Sequence, residues 1–129
     1  DSLDSLYTQK RYTKVRREDY ETVVQGMRQA VLRGTCRGAD LPGIEVCGKT
    51  GTAQNRGKDH SAFMGFAPMK DPKIAVAVYV ENGGWGATYG VPIGALIMEK
   101  YLNGSLSAES ELKAQDIQKR RIDYGIHER

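Results

Sequence analysis

Residues 43–54 read GIEVCGKTGTAQ and bring together one ammonium, two hydroxyls and three glycines within twelve positions. Two chemistries compete for this string. Counted from Gly43 it fits G-x-x-x-x-G-K-[ST], a loop whose backbone amides cradle phosphates. Counted from Lys49 it is Lys-Thr-Gly followed by a second Thr. On an extended strand the period of two places Thr50 and Thr52 on one face. Two hydroxyls there, beside the Lys49 ammonium, make a receptor for a carboxylate, with directional hydrogen bonds and charge supplied together. Gly51 leaves room for a peptide to lie along the strand and pair with its backbone. The backbone N–H of Thr52 is then free to donate to an oxyanion.

The neighbouring elements decide between the two. A phosphate loop needs a buried strand ending before its first Gly and a helix opening at the Lys-Thr. Ahead of Gly43 stands RGADLP, a turn composition. After Thr50 come Gly51, Thr52, Ala53, Gln54, Asn55, Arg56 and Gly57, a poor helix start with no apolar period. The spacer IEVC reads as strand. Only IAVAVYVE favours the nucleotide alternative, as an apolar strand and acid of the kind that hold magnesium. The extended Lys-Thr-Gly reading is preferred.

Around this segment, EDYETVVQGMRQAVLRG carries Tyr20, Val23, Val24, Met27 and Val31 at helical spacing. Acids crowd its first turn, Arg33 lies in its last, and Gly34 is placed to cap it. Upstream, LYTQKRYTKV alternates apolar and polar residues and suggests a strand or extended arm. Three strand candidates follow, IEVCGKTGTA, SAFMGFAP and KIAVAVYVE, joined by the short linkers QNRGKDH and MKDP, so an antiparallel meander is expected. A glycine-rich loop, ENGGWGATYG, leads to a helix through IGALIMEKYLN, with Pro92 in its opening turn and Gly104 at its end. Its apolar residues Ile93, Leu96, Ile97 and Tyr101 are expected to lie on the sheet. From Ser105 onward Leu112, Ile117 and Ile122 make a thin stripe, which predicts a peripheral helix or a partly disordered tail.

The bulk composition narrows the classes. The 129 residues suit one domain, and 40% hydrophobic with 27% charged residues is a globular balance. No apolar run approaches the roughly 18 to 20 residues of a membrane span. DSLDSLYTQK has neither the basic start nor the apolar middle of a secretion signal, and without an initiator Met the chain reads as cut from something longer, or processed. A net charge of +3 is too mild, and its bases too scattered, for nucleic acid; the densest run, KRYTKVRRE, reads as solvated surface. Cys36 and Cys47 are expected to be small buried thiols rather than a redox pair.

The order of VVQGMRQAV, GTC, GKTGTAQ, HSAFMGFAP, KIAVAVYVENGG and a closing apolar helix before LNG resembles the C-terminal part of the transpeptidase domain of class B penicillin-binding proteins, nearest the penicillin-binding protein 2 group. The likeness covers residues 18–104. It implies an α+β fold of the serine β-lactamase and transpeptidase kind, in part: an antiparallel sheet of about three main strands packed with helices. Residues 1–104 would be the C-terminal segment of that domain and 105–129 its tail.

The family cross-links peptidoglycan by serine acyl transfer and is trapped by β-lactams. By resemblance, Lys49 supports the proton network and orients the substrate carboxylate, and Thr50, Gly51 and Thr52 line its site. The N–H of Thr52 gives half of the oxyanion hole. The partners implied are the stem peptide, β-lactams and the remainder of the domain, in a membrane-anchored protein of the bacterial envelope with an extracytoplasmic site. No metal or organic cofactor is implied, and self-association of the chain alone is expected from its uncovered faces.

The nucleophile is missing. Neither S-x-x-K nor S-x-N occurs in the 48 residues before Lys49, so the chain alone is expected to be inactive. Ser110 to Lys113 matches S-x-x-K, and Tyr101 to Asn103 mimics the second motif, but both follow the Lys-Thr-Gly and read as coincidence. Trp85 is open to either a partner contact or packing on its own sheet. His60 reads as structural, and His127 receives no role. A non-catalytic module that binds peptide or cell-wall ends is the alternative.

Overall fold

The computed structural model describes residues 2–124; His127 lies outside them. Among the described residues four α-helices and three strands follow one another: α1 (Ser2–Thr8), α2 (Arg17–Arg33), β1 (Cys47–Ala53), β2 (His60–Ala67), β3 (Ile74–Val80), α3 (Gly90–Asn103) and α4 (Ala108–Lys119). The strands form the expected meander, antiparallel throughout, in the order β1-β2-β3. This α+β arrangement leaves β1 at one border of the sheet.

Direct pairs across an antiparallel sheet share a face. Thr50 pairs with Phe63 and Phe63 with Val78; Thr52 pairs with Ser61 and Ser61 with Val80. These rows lie under α3. The opposite face carries Lys49, Met64 and Ala77.

Phe63, only 2% exposed, fixes how α3 sits. A Cβ added at Gly94 would stand 2.5 Å from its ring, one at Gly48 2.6 Å and one at Gly65 2.7 Å, while one at Gly90 would stand 2.9 Å from its Cβ. The ring occupies a socket of three glycines, and Gly90 packs on the Phe63 Cβ. Around it Val31, Val46, Val91, Ala95 and Met98 close the core.

Two expectations are corrected by this packing. The sheet-facing side of α3 is Val91, Gly94, Ala95 and Met98, whereas Ile97 and Tyr101 are 46% and 64% exposed, and Ile93 and Leu96 are half-buried. The smallest residues face the sheet because only they allow the helix to approach Phe63. Residues 6–15 form no strand: Leu6 to Thr8 end α1 and the rest has no regular structure, since the alternating pattern finds no strand to pair with. Gly34 ends α2 in an extended rather than left-handed conformation, its N–H donating to the Ala30 carbonyl at 3.1 Å. Gly104 does cap α3 with φ 76°. After Ser105, Ala108–Lys119 form a helix, with the Ser107 hydroxyl accepting from the Ser110 N–H at 3.2 Å.

No helix among the described residues is long and apolar enough to cross a membrane.

Candidate functional site on the border strand

Lys49 to Thr52 are strand residues, and β1 continues to Ala53. No helix opens at Lys49-Thr50, so the dipole and amide cluster a phosphate loop depends on are missing from this segment. Thr50 and Thr52 fall on one face as the period requires. Thr52 is exposed and Thr50 half-buried. The Lys49 side chain leaves from the opposite face and bends over the rim, where Nζ donates to the Thr50 carbonyl at 2.8 Å. The ammonium therefore stands at the edge of the strand, on the Thr50 backbone, rather than on the hydroxyl face.

The turn after α2 supplies partners that sequence reasoning did not find. Thr35 Oγ1 lies 2.7 Å from Thr50 Oγ1. The neighbouring Cys36 thiol contacts both the side chain and the backbone of Thr50. Burial raises the pKa of this thiol above its usual 9.0, opposed by hydrogen bonds from Thr35 and Thr50 and by the Lys49 charge. Cys47 is raised as well, by burial first, with Arg28 lowering and Glu45 raising it. Both thiols are free and buried, as expected, and neither has the depressed pKa of a reactive cysteine.

These contacts orient the rim. Backbone groups of a border strand alternate between the paired side and the open side. The Thr50 backbone faces outward, to Cys36 and to Lys49 Nζ. Two residues on, the Thr52 N–H faces the same way.

The glycine-rich loop closes over the hydroxyl face. A Cβ at Gly86 would meet Ala62 O at 2.5 Å, Gly51 O at 2.8 Å and Thr50 Cβ at 2.9 Å, so any larger residue would push the loop off the strand. Ser61 holds it in place, donating from Oγ to Trp85 O at 2.8 Å and accepting from Gly90 N at 3.0 Å. Trp85 itself is 75% exposed, so it does not fold back on the sheet. On the other face, a groove of about 690 Å³ runs between α2 and Lys49 with Met64, and another of about 310 Å³ covers Gly51, Ala62 and Ala77. This face lies open beside the ammonium.

His60 has a structural contact: Nδ1 accepts from Asn82 N at 2.9 Å, and its ring stands 5.4 Å from that of Tyr79. Ser110 is buried, and its backbone N–H donates to Ser107 Oγ at the start of α4. Among the described residues no group of three or more His, Cys, Asp or Glu could hold a metal ion.

Residues 6–102 match the family model for the penicillin binding protein transpeptidase domain. The chain is 37% identical over 87 residues to the peptidoglycan D,D-transpeptidase MrdA of Acinetobacter baumannii, a match covering 55% of this chain and 13% of that protein. It is 40% identical over 75 residues to the peptidoglycan D,D-transpeptidase PbpA of Mycobacterium tuberculosis, covering 50% of this chain and 15% of that protein. The crystal structure of Pseudomonas aeruginosa PBP2 in complex with WCK 5153 is similar with a TM-score of 0.60 and 40% identity, over 74% of this chain and 22% of that one. Penicillin-binding protein A of M. tuberculosis, as a ceftriaxone acyl-enzyme complex, is similar with a TM-score of 0.61 and 30% identity, over 71% and 23%. The chain thus spans less than a quarter of the length of these relatives. With three quarters of its residues inside the matched region, an antiparallel sheet in common and a Lys-Thr-Gly strand at the border, this chain belongs to the penicillin-binding protein transpeptidase domain family.

Proposed function

We propose that this chain is the part of a peptidoglycan D,D-transpeptidase that receives the carboxylate end of the substrate, and that the rest of a longer polypeptide supplies the acyl-transfer serine. One observation carries the reading: Lys49 to Thr52 run extended along the sheet border, with both hydroxyls on one face and the Thr52 amide on the open rim. A stem peptide ending in D-Ala-D-Ala lies along this rim as an added strand. Its carboxylate takes hydrogen bonds from Thr50 and Thr52 and charge from Lys49, bringing the scissile carbonyl to the Thr52 N–H. A serine from an S-x-x-K segment elsewhere in the polypeptide attacks that carbonyl, D-Ala leaves, and an amine from a neighbouring strand takes the acyl group. A β-lactam carries the same carboxylate and a strained amide, and so traps the serine. The relatives' D,D-transpeptidase names and the ceftriaxone acyl-enzyme of one of them support this assignment. The enzyme works in the bacterial envelope on the outer side of the membrane, held there by an anchor.

A fluorescent penicillin tests this directly. Covalent label is expected on the longer polypeptide that contains residues 1–129 and not on residues 1–129 alone. An unlabelled longer polypeptide that still binds stem peptide would replace the enzyme with a non-catalytic binding module.

A further inference from the structure

The family match ends at residue 102, inside α3, so α4 and the residues after it lie beyond the matched region. They are nonetheless joined to the site. α4 is anchored on α3 through Glu99, 5% exposed, whose Oε1 accepts from Ser107 N at 3.0 Å. At the far end of α4, Arg120 reaches back to the glycine-rich loop. Its Nη1 donates to the Thr88 carbonyl at 2.6 Å, and its guanidinium carbon stands 5.4 Å from the centre of the Tyr89 ring. Asp116 holds the other side of the fork, accepting from Nη2 at 2.7 Å and Nε at 3.0 Å.

From this geometry we infer that Arg120 is a positioning residue for the transpeptidase site: the segment after α3 braces the glycine-rich loop against the Lys-Thr-Gly strand.

The connection is short. Thr88 N donates to Trp85 O at 2.8 Å, which ties the braced carbonyl to the residue beside Gly86. Gly86 is the point where the loop touches Thr50 and Gly51. Ser61 pins the loop from beneath, at Trp85 and Gly90, while Arg120 pins Ala87 to Tyr89 from outside. Val91 N also donates to the Gly86 carbonyl at 2.9 Å, so the loop is fastened at its base and Arg120 adds the tie from outside. A bond from a charged guanidinium is among the stronger hydrogen bonds available, and Arg adds a stacked, planar contact that Lys lacks. Released from Arg120, the roof lifts away from Thr50, and the carboxylate loses the shape that orients it rather than the groups that react.

The inference rests on the acyl-transfer reading, and its test separates the two. In the longer polypeptide, Arg120→Ala, Arg120→Lys and Lys119→Ala are compared with the native protein; Lys119 is exposed in the last turn of α4, next to Arg120, and its substitution removes the same charge. Two readouts are taken: penicillin acylation against concentration, and hydrogen exchange of residues 83–91. Arg120→Ala is expected to lower the second-order acylation constant about tenfold, through a higher half-saturating concentration with the limiting rate nearly unchanged. Exchange across residues 83–91 is expected to rise about tenfold. Arg120→Lys recovers part of both, and Lys119→Ala changes neither. Native acylation and native exchange in Arg120→Ala overturn the inference, as does an equal loss in Lys119→Ala, which would mark a general loss of stability. Should the native protein take no label, the acyl-transfer reading fails, and the exchange rates alone decide whether the brace exists.

Discussion

At the residue scale the site depends on which way two hydroxyls donate. Thr50 has one proton to give, and it is free for a carboxylate when Thr35 Oγ1, at 2.7 Å, donates to Thr50 rather than accepts from it. A chain of two hydroxyls ending on an anion is strengthened by its own polarisation. The Lys-Thr-Gly-Thr string could be found in the sequence because a strand's period makes neighbours of i and i+2. Thr35 could not, since its partner lies 15 positions away across a turn and no periodicity links them. Thr35→Val keeps the shape and removes the hydroxyl. It is expected to weaken acylation of the longer polypeptide by penicillin about fivefold, the size of one hydrogen bond lost near a charged ligand. Stopped-flow acylation checks this, and a native rate in Thr35→Val would leave Thr50 self-sufficient.

Among the elements, α3 teaches the most. Its hydrophobic residues in the sequence mark Ile93, Leu96, Ile97 and Tyr101 as the buried side, yet the helix turns Gly90, Gly94 and Ala95 inward because Phe63 needs the space. Periodicity counts apolar side chains and cannot see a contact made by the lack of one. Phe63→Ala empties the socket of three glycines, which have no side chains to collapse into it. A loss of about 3–5 kcal/mol is expected, read from the urea midpoint of unfolding. The contact between α3 and α4 adds a pH dependence. Burial pushes the Glu99 carboxyl up, but hydrogen bonds from the Ser110 hydroxyl and from the Ser107 amide and hydroxyl, with the Lys113 charge, hold it below its ordinary value of 4.5. A carboxylate whose folded pKa is depressed contributes stability that is full above the unfolded value and lost as pH falls through the folded one. The docking of α4 is therefore expected to be constant from neutral pH to about 5 and to weaken below 4.5. Hydrogen exchange across α4 would show this, and Glu99→Gln should abolish the dependence in that window.

For the molecule as a whole, the sheet has two borders with different fates. β1 is flanked at Thr50 by the turn after α2, and its rim is the proposed substrate track. β3 has no strand on its outer side among the described residues. Its sequence, IAVAVYV, has neither charge nor Pro nor Gly to deter pairing, and Ala75, Ala77 and Tyr79 are exposed on the face away from α3. Such a border is a template for another strand. Met64 at 58%, Tyr79 at 58%, Ile97 at 46% and Tyr101 at 64% exposure widen the apolar surface on both sides of the sheet. In the longer polypeptide the remaining segments of the domain are the proposed cover. Residues 1–129 alone are expected to satisfy β3 with a second copy, so their scattering mass should rise with concentration from about 10 to 100 μM. Ala77→Lys places a charge on the exposed face of that border without touching α3 or the Lys-Thr-Gly strand. It is expected to shift the chain toward monomer at every concentration. A native chain that stays monomeric across the range would mean that its open border is already protected by its own twist and shortness.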